Sequence, residues 1–152
     1  MPSQPSSRTV LSFDYGLRRI GVAVGNTLTG TAQALATVAA HDGEPDWRAI
    51  AAVVADWRPA AIVVGVPYNK GGGSDALARA ALRFADQLGA RHGIEVHRVD
   101  EFLTSREAED DLRERRQSGL KPRRVRRGDV DREAARILLL QWLRAQGGAA
   151  AR

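Results

Sequence analysis

Apolar residues form five runs of strand length along the chain, separated by polar or glycine-containing turns. The runs cover residues 9–14, 20–24, 31–38, 61–66 and 95–99. The first two are separated only by a short turn at Tyr15-Gly16, so they are predicted to pair as a hairpin. The run at 61–66, A-I-V-V-G-V, is apolar throughout, which is typical of a strand buried on both faces.

Helices are predicted between and after these runs. Apolar positions recur at helical spacing over 46–57, 75–92 and 130–143. Thr104 followed by Glu107 matches a capping box, which predicts a further helix over 104–116. Residues 41–45 are predicted to be a loop, with Pro45 in the first turn of the helix that follows.

The element order predicts the fold class. Hairpin-linked strands come first, and strands joined by crossover helices follow, which implies parallel pairing for the later strands. We therefore expect an α/β fold with a mixed five-stranded sheet, antiparallel over its first three strands and parallel over its last two, flanked by helices. This order resembles the RNase H-like fold. A single domain is expected at 9–145, after a disordered lead-in at 1–8 and before a flexible tail at 146–152.

Composition excludes several classes of protein. The chain has no cysteine, which excludes a disulfide scaffold, a cysteine nucleophile and a thiolate metal site. No run approaches the roughly 20 apolar residues that a membrane helix needs, and the N-terminus lacks the features of a signal peptide. A cytoplasmic protein with no membrane partner is expected.

Positive charge is concentrated in one segment. Residues 113–127 carry a net charge of +7, whereas the whole chain carries +5, so the remainder is slightly acidic. Such a local basic patch suggests a polyanionic partner, although a solvated helix end would look similar. The candidate nucleic-acid-binding residues are Arg18, Lys70, Arg116, Lys121, Arg123, Arg124, Arg126 and Arg127.

Three carboxylates stand where predicted elements meet. Asp14 directly follows the first strand, Glu101 follows the strand at 95–99, and Asp131 begins the last helix. Parallel strands joined by crossover helices present their carboxyl ends at one edge of a sheet, so Asp14 and Glu101 are expected to converge there. Each acid also has a plainer interpretation, as a turn or helix-cap residue. Asp100, Asp129 and Glu133 are alternatives for the same role.

Acids brought together in this way favour a bound cation. Like charges at one edge repel one another, and a divalent ion removes that cost. Ligands that are all oxygens suit Mg²⁺ or Mn²⁺. Two such ions about 4 Å apart activate a water and stabilise the leaving oxygen of a phosphodiester.

Five motifs in order are similar to those of the YqgF/RuvX family. They begin at Asp14 with D-Y-G-L-R-R-I-G-V-A, continue with T-G-T-A at 29–32 and V-G-V-P-Y-N at 64–69, and end with D-E-F-L-T-S at 100–105 and V-D-R-E-A-A at 130–135. The resemblance covers about residues 9–143. It departs at Phe102, where the family usually has arginine. Phenylalanine cannot make the local phosphate contact or ion pair that an arginine would make there.

The resemblance implies a divalent-metal phosphodiesterase with an RNase H-like fold and with Asp14, Glu101 and Asp131 as its acids. The family is described both as nucleases that mature the 5′ end of 16S ribosomal RNA precursor and as Holliday junction resolvases. A junction resolvase needs two active sites, so a monomer and a homodimer both remain open.

Two other classes of function compete with a nuclease. The D-x-G hairpin also opens the phosphate-binding region of sugar kinases and actin-like ATPases, which would bind ATP, but those proteins need two such domains. A module that keeps the fold without catalysis would bind nucleic acid and show no metal-dependent cleavage.

Overall fold

The computed structural model describes residues 9–67, 75–100 and 127–150. The predicted helix at 104–116 and most of the basic segment lie outside these ranges. The described elements, in chain order, are β1 (Thr9–Asp14), β2 (Arg19–Asn26), β3 (Thr31–His41), β4 (Glu44–Pro45), α1 (Trp47–Trp57), β5 (Ala61–Val66), α2 (Asp75–His92), β6 (Glu95–Asp100) and α3 (Arg127–Ala150).

The strands form one mixed sheet in the order β4-β3-β2-β1-β5-β6. β1 pairs antiparallel with β2 and parallel with β5, β2 pairs antiparallel with β3, and β5 pairs parallel with β6. The predicted α/β class, antiparallel first half and parallel second half are confirmed. β1 lies at the centre because it joins the two halves.

The sheet has six strands rather than the five predicted, because residues 41–45 form a hairpin and not a loop. His41 pairs with Glu44 across two residues, Asp42 and Gly43, whose φ angles are 51° and 85°. Positive φ at both positions is the geometry of a type I′ turn, for which Asp-Gly is a preferred sequence. Pro45 therefore ends β4 and does not begin α1. The helix is capped by Asp46, whose side chain accepts a hydrogen bond from the Ala49 amide.

Two hydrophobic cores form, one on each face of the sheet. On one face α1 and α2 pack on the larger core, which includes Phe13, Ile20 and Phe84. On the other face, within the described part of the chain, α3 packs on a smaller core through Leu138 and Leu139. No helix in the described ranges has the length and apolarity to cross a bilayer.

The ends of several elements differ from the predicted ones. α3 begins before residue 130 and continues past 143, and β3 continues past 38. Trp57 is the last position of the apolar spacing that predicts a helix over 46–57, yet it is 41% exposed. It is the last residue of α1 and lies beside Thr9 and Gln33, at the end of the sheet opposite Asp14.

Candidate active site

Asp14 is the last residue of the central strand, half-buried between two glycines on the neighbouring strands. Its Cα is paired with Gly21 on β2 and with Gly65 on β5. Successive side chains in a strand alternate between the two faces. Asp14 therefore shares a face with Ser12, whose hydroxyl donates a 2.7 Å hydrogen bond to the Ala135 carbonyl of α3. This places Asp14 on the face that α3 covers.

Asp131 lies on α3 one turn before Ala135, directly over β2. A Cβ atom added to Gly21 would be 1.9 Å from the Asp131 carbonyl oxygen, so the helix backbone rests on the bare glycine. Because Gly21 is also the β2 partner of Asp14, the structure brings Asp14 and Asp131 to the same face and edge of the sheet.

The carboxylate of Asp131 is held by an arginine that the sequence analysis did not single out. Arg19 Nε donates to Asp131 Oδ2 at 2.8 Å, and both side chains are partly exposed. Arg19 is two residues before Gly21 and four before Ala23, so strand alternation places it on the face of β2 that α3 covers. This alternation was the available sequence signal, because it puts Arg19 but not its neighbour Arg18 on that face.

The competing acids on α3 form their own ion pairs within the helix. Asp129 pairs with Arg132 and Glu133 pairs with Arg136, each three residues further along. Both acids are buried. Arg132 also donates to Thr37 on β3, so the Asp129 pair joins the start of the helix to the sheet. Both acids are thus paired with arginines of their own helix.

The third predicted acid, Glu101, lies outside the described residues, next to the end of β6. Across the sheet, Val99 is paired with Gly65, which is paired in turn with Asp14. Val99 packs against the core under α3, and Asp100 follows it on the opposite face. Val99 therefore lies on the same face of the sheet as Asp14.

The donor set at this edge fits a hard divalent cation. Asp14 and Asp131 would offer carboxylate oxygens, which Mg²⁺ and Mn²⁺ prefer, and Gly21 allows the α3 backbone that carries Asp131 to approach β2. Among the described residues no group of three or more His, Cys, Asp or Glu side chains is close enough to hold a metal ion. Two of the three predicted ligands fall within that part of the chain.

Arg18 is the one predicted nucleic-acid contact whose side chain the structure describes. It is exposed in the turn between β1 and β2, directly before Arg19. Arg127 begins α3. The other predicted contacts, Lys70, Arg116, Lys121, Arg123, Arg124 and Arg126, lie outside the described residues.

Comparison with known proteins gives relatives over nearly the whole chain. The family model described as "RuvX: Holliday junction resolvase" matches residues 8–145. A protein of Pectobacterium atrosepticum named "Putative pre-16S rRNA nuclease" is 41% identical over 141 residues, which cover 93% of this chain and 99% of the relative. A protein of Marinobacter nauticus with the same name is 41% identical over 95% of this chain and 98% of the relative.

Solved structures with the same fold are more distant in sequence. Thermus thermophilus RuvC in complex with a Holliday junction substrate aligns with a TM-score of 0.57 and 21% identity, covering 92% of this chain and 96% of that chain. The fowlpox virus resolvase with junction DNA aligns with a TM-score of 0.56 and 12% identity, covering 91% and 98%. These likenesses confirm the RNase H-like resolvase fold.

Proposed function

The chain belongs to the RuvX family and is a nuclease, and we propose that it hydrolyses phosphodiester bonds with divalent cations bound by Asp14, Glu101 and Asp131. The single observation that carries this proposal is the placement of Asp131 over Gly21. It brings the start of α3 over the β2 partner of Asp14, so that two acids from distant parts of the chain lie on one face of the sheet.

Each residue at the proposed site has a separate role. Mg²⁺ or Mn²⁺, when bound, supplies an activated water and stabilises the charge on the leaving oxygen. Asp14 and Asp131 hold the cation, and Arg19 fixes the orientation of the Asp131 carboxylate. Arg18, exposed beside this edge, binds a backbone phosphate, as arginines commonly do in such interfaces.

The substrate we propose is the 5′ end of pre-16S ribosomal RNA, cleaved in the cytoplasm. Support comes from the name of relatives that are 41% identical and match almost end to end. A four-way DNA junction is the second candidate, favoured by the description of the family. Cleavage of a junction would require a homodimer, whereas a monomer suffices for one RNA strand.

The test compares wild type with Asp14→Asn on a pre-16S RNA fragment and on a four-way DNA junction, each with Mn²⁺ or Mg²⁺. The substitution removes a ligand charge without changing shape, so we expect cleavage to fall by at least about 100-fold. Asp56→Asn, at an exposed position of α1, is the matched control and should cleave like wild type.

Each outcome assigns a function. Metal-dependent cutting of the RNA that is lost only in Asp14→Asn supports the maturation nuclease, and cutting of the junction alone supports the resolvase. Full activity of Asp14→Asn would remove Asp14 from the site. Binding of both substrates with cleavage of neither would indicate a module that has kept the fold without catalysis.

A further inference from the structure

A cleft of about 340 Å³ opens on the other face of the sheet, one residue away from Asp14. Its walls come from the residues just after β1, the β3–β4 hairpin and α2, and include Tyr15, Asp42, Glu44, Arg83 and Gln87. This volume lies in the range of sites that hold small ligands.

The hairpin wall is fixed in place by hydrogen bonds to the β1–β2 region. Tyr15 donates its hydroxyl to the Gly43 carbonyl at 2.7 Å, and the Gly43 amide donates to the Leu17 carbonyl at 3.0 Å. The cleft is therefore preformed on this side.

The polar groups that line the cleft retain bonding capacity. Arg83 and Gln87 are exposed one turn apart on α2, and neither makes a hydrogen bond or ion pair with another residue in the described ranges. Glu44 uses only Oε2, which accepts from the Trp47 indole at 3.2 Å. The cleft thus offers a guanidinium, a carboxamide and a carboxylate oxygen to a ligand.

The signs of these charges restrict the ligand. Asp42 and Glu44 disfavour a simple anion, and Arg83 disfavours a simple cation, so a ligand that matches both carries hydrogen-bond donors as well as a negative charge. A nucleotide whose base has an exocyclic amine fits. Carboxylates accept from such amines, and arginine binds phosphate.

We propose that this cleft binds one unpaired nucleotide of the substrate strand with an amine-bearing base, which Glu44 contacts while Arg83 holds its phosphate. Tyr15 follows Asp14 directly, so the cleft and the proposed metal site flank the same end of β1 on opposite faces of the sheet. A strand that bends around this end would place a nucleotide next to the scissile phosphate in the cleft. The proposal rests on the proposed nuclease function and adds base selection beside the cut.

The experiment titrates the full-length protein with 5′-GMP, 5′-AMP, 5′-CMP, 5′-UMP and inorganic phosphate by calorimetry, in EDTA to keep the proposed metal site empty. We expect the three amine-bearing nucleotides to bind at least about tenfold more tightly than 5′-UMP, since one hydrogen bond to a charged group is worth that much. Glu44→Gln should abolish this preference, and its amide oxygen still accepts from Trp47.

Arg83→Gln should weaken all four nucleotides, whereas Arg79→Gln, at an exposed position one turn earlier on α2, should leave them unchanged. Three results would overturn the proposal: no nucleotide binding, equal affinity for 5′-UMP, or affinity for inorganic phosphate equal to that for the nucleotides. The same preparations are assayed for Mn²⁺-dependent cleavage. Cleavage without nucleotide binding refutes the cleft alone, and nucleotide binding without cleavage refutes the nuclease alone.

Discussion

At the scale of single residues, Asp131 has Arg19 as a hydrogen-bond partner and would have the proposed cation as a second partner. Arg19 donates to one carboxylate oxygen at 2.8 Å, which holds the carboxylate in a fixed orientation. A cation bound at the same edge would use the remaining capacity of the carboxylate. Residues that orient a metal ligand in this way commonly matter as much as a ligand itself.

Arg19→Gln should therefore lower kcat at saturating Mn²⁺ by about 10- to 100-fold, because the Asp131 carboxylate loses its fixed partner. Arg19→Lys keeps the charge and should recover part of the rate, which a purely structural role would not predict. Arg48→Gln, at an exposed position of α1, is the control. An unchanged kcat in Arg19→Gln, with the melting temperature also unchanged, would show that the pair has no part in catalysis.

Sequence alone predicted Asp14 and Asp131, because acids at the ends of apolar elements are visible in the pattern. It did not predict Arg19 as a partner of Asp131, because 112 residues separate the two and no local spacing encodes such a contact. The same limit applies to the cleft, whose walls come from three separate segments.

At the scale of elements, the close approach of α3 to β2 depends on a glycine. The helix backbone passes within the space that a Cβ atom at position 21 would fill. The helix is also anchored by the buried hydrogen bond from Ser12 to Ala135. Packing and site geometry are therefore coupled, because moving α3 moves Asp131.

Gly21→Ala should lower the free energy of unfolding by about 1–3 kcal/mol, as overpacking typically does. The variant should also cleave more slowly than wild type, because the added methyl displaces Asp131. Gly89→Ala is the matched control. The added methyl would meet nothing closer than 3.6 Å, and alanine favours the helix by up to about 1 kcal/mol. Denaturant unfolding measures both variants, and equal stabilities would contradict the close approach.

Among the elements, the apolar strand runs and the main helices were predicted from periodicity, because burial on a sheet face imposes it. The β3–β4 hairpin was missed although Asp42-Gly43 is a turn signature, because a two-residue strand shows no alternation. The end of α3 was placed too early because apolar periodicity stops near Leu143, while helical backbone continues to Ala150.

At the scale of the whole molecule, positive charge is concentrated in the segment that leads into α3. Residues 113–127 carry +7 in a chain whose net charge is +5, and α3 carries Asp131 one turn after its start. Attraction of a polyanion is therefore expected to depend mainly on this segment. Counterion release makes such binding salt-dependent.

Replacing Arg123, Arg124, Arg126 and Arg127 together with Ser should weaken binding of the RNA fragment. The slope of log K against log salt should fall by up to about 3, if all four contact single-stranded phosphates. Fluorescence anisotropy at several salt concentrations measures the slope, with cleavage-deficient Asp14→Asn as the background. The same slope in both proteins would show that these arginines do not contact the backbone.

The packing of α3 on the N-terminal strands also has a consequence for the order in which the chain folds during synthesis. Ser12 and Ala135 are 123 residues apart, and Arg19 and Asp131 are 112 apart. During synthesis the chain grows from its N-terminus at about 5–20 residues per second. Asp14 is therefore made several seconds before the residues of α3. Contacts of such long sequence separation also slow folding. A partly synthesised chain would therefore lack the proposed site, and we expect cleavage activity only once synthesis of α3 is complete.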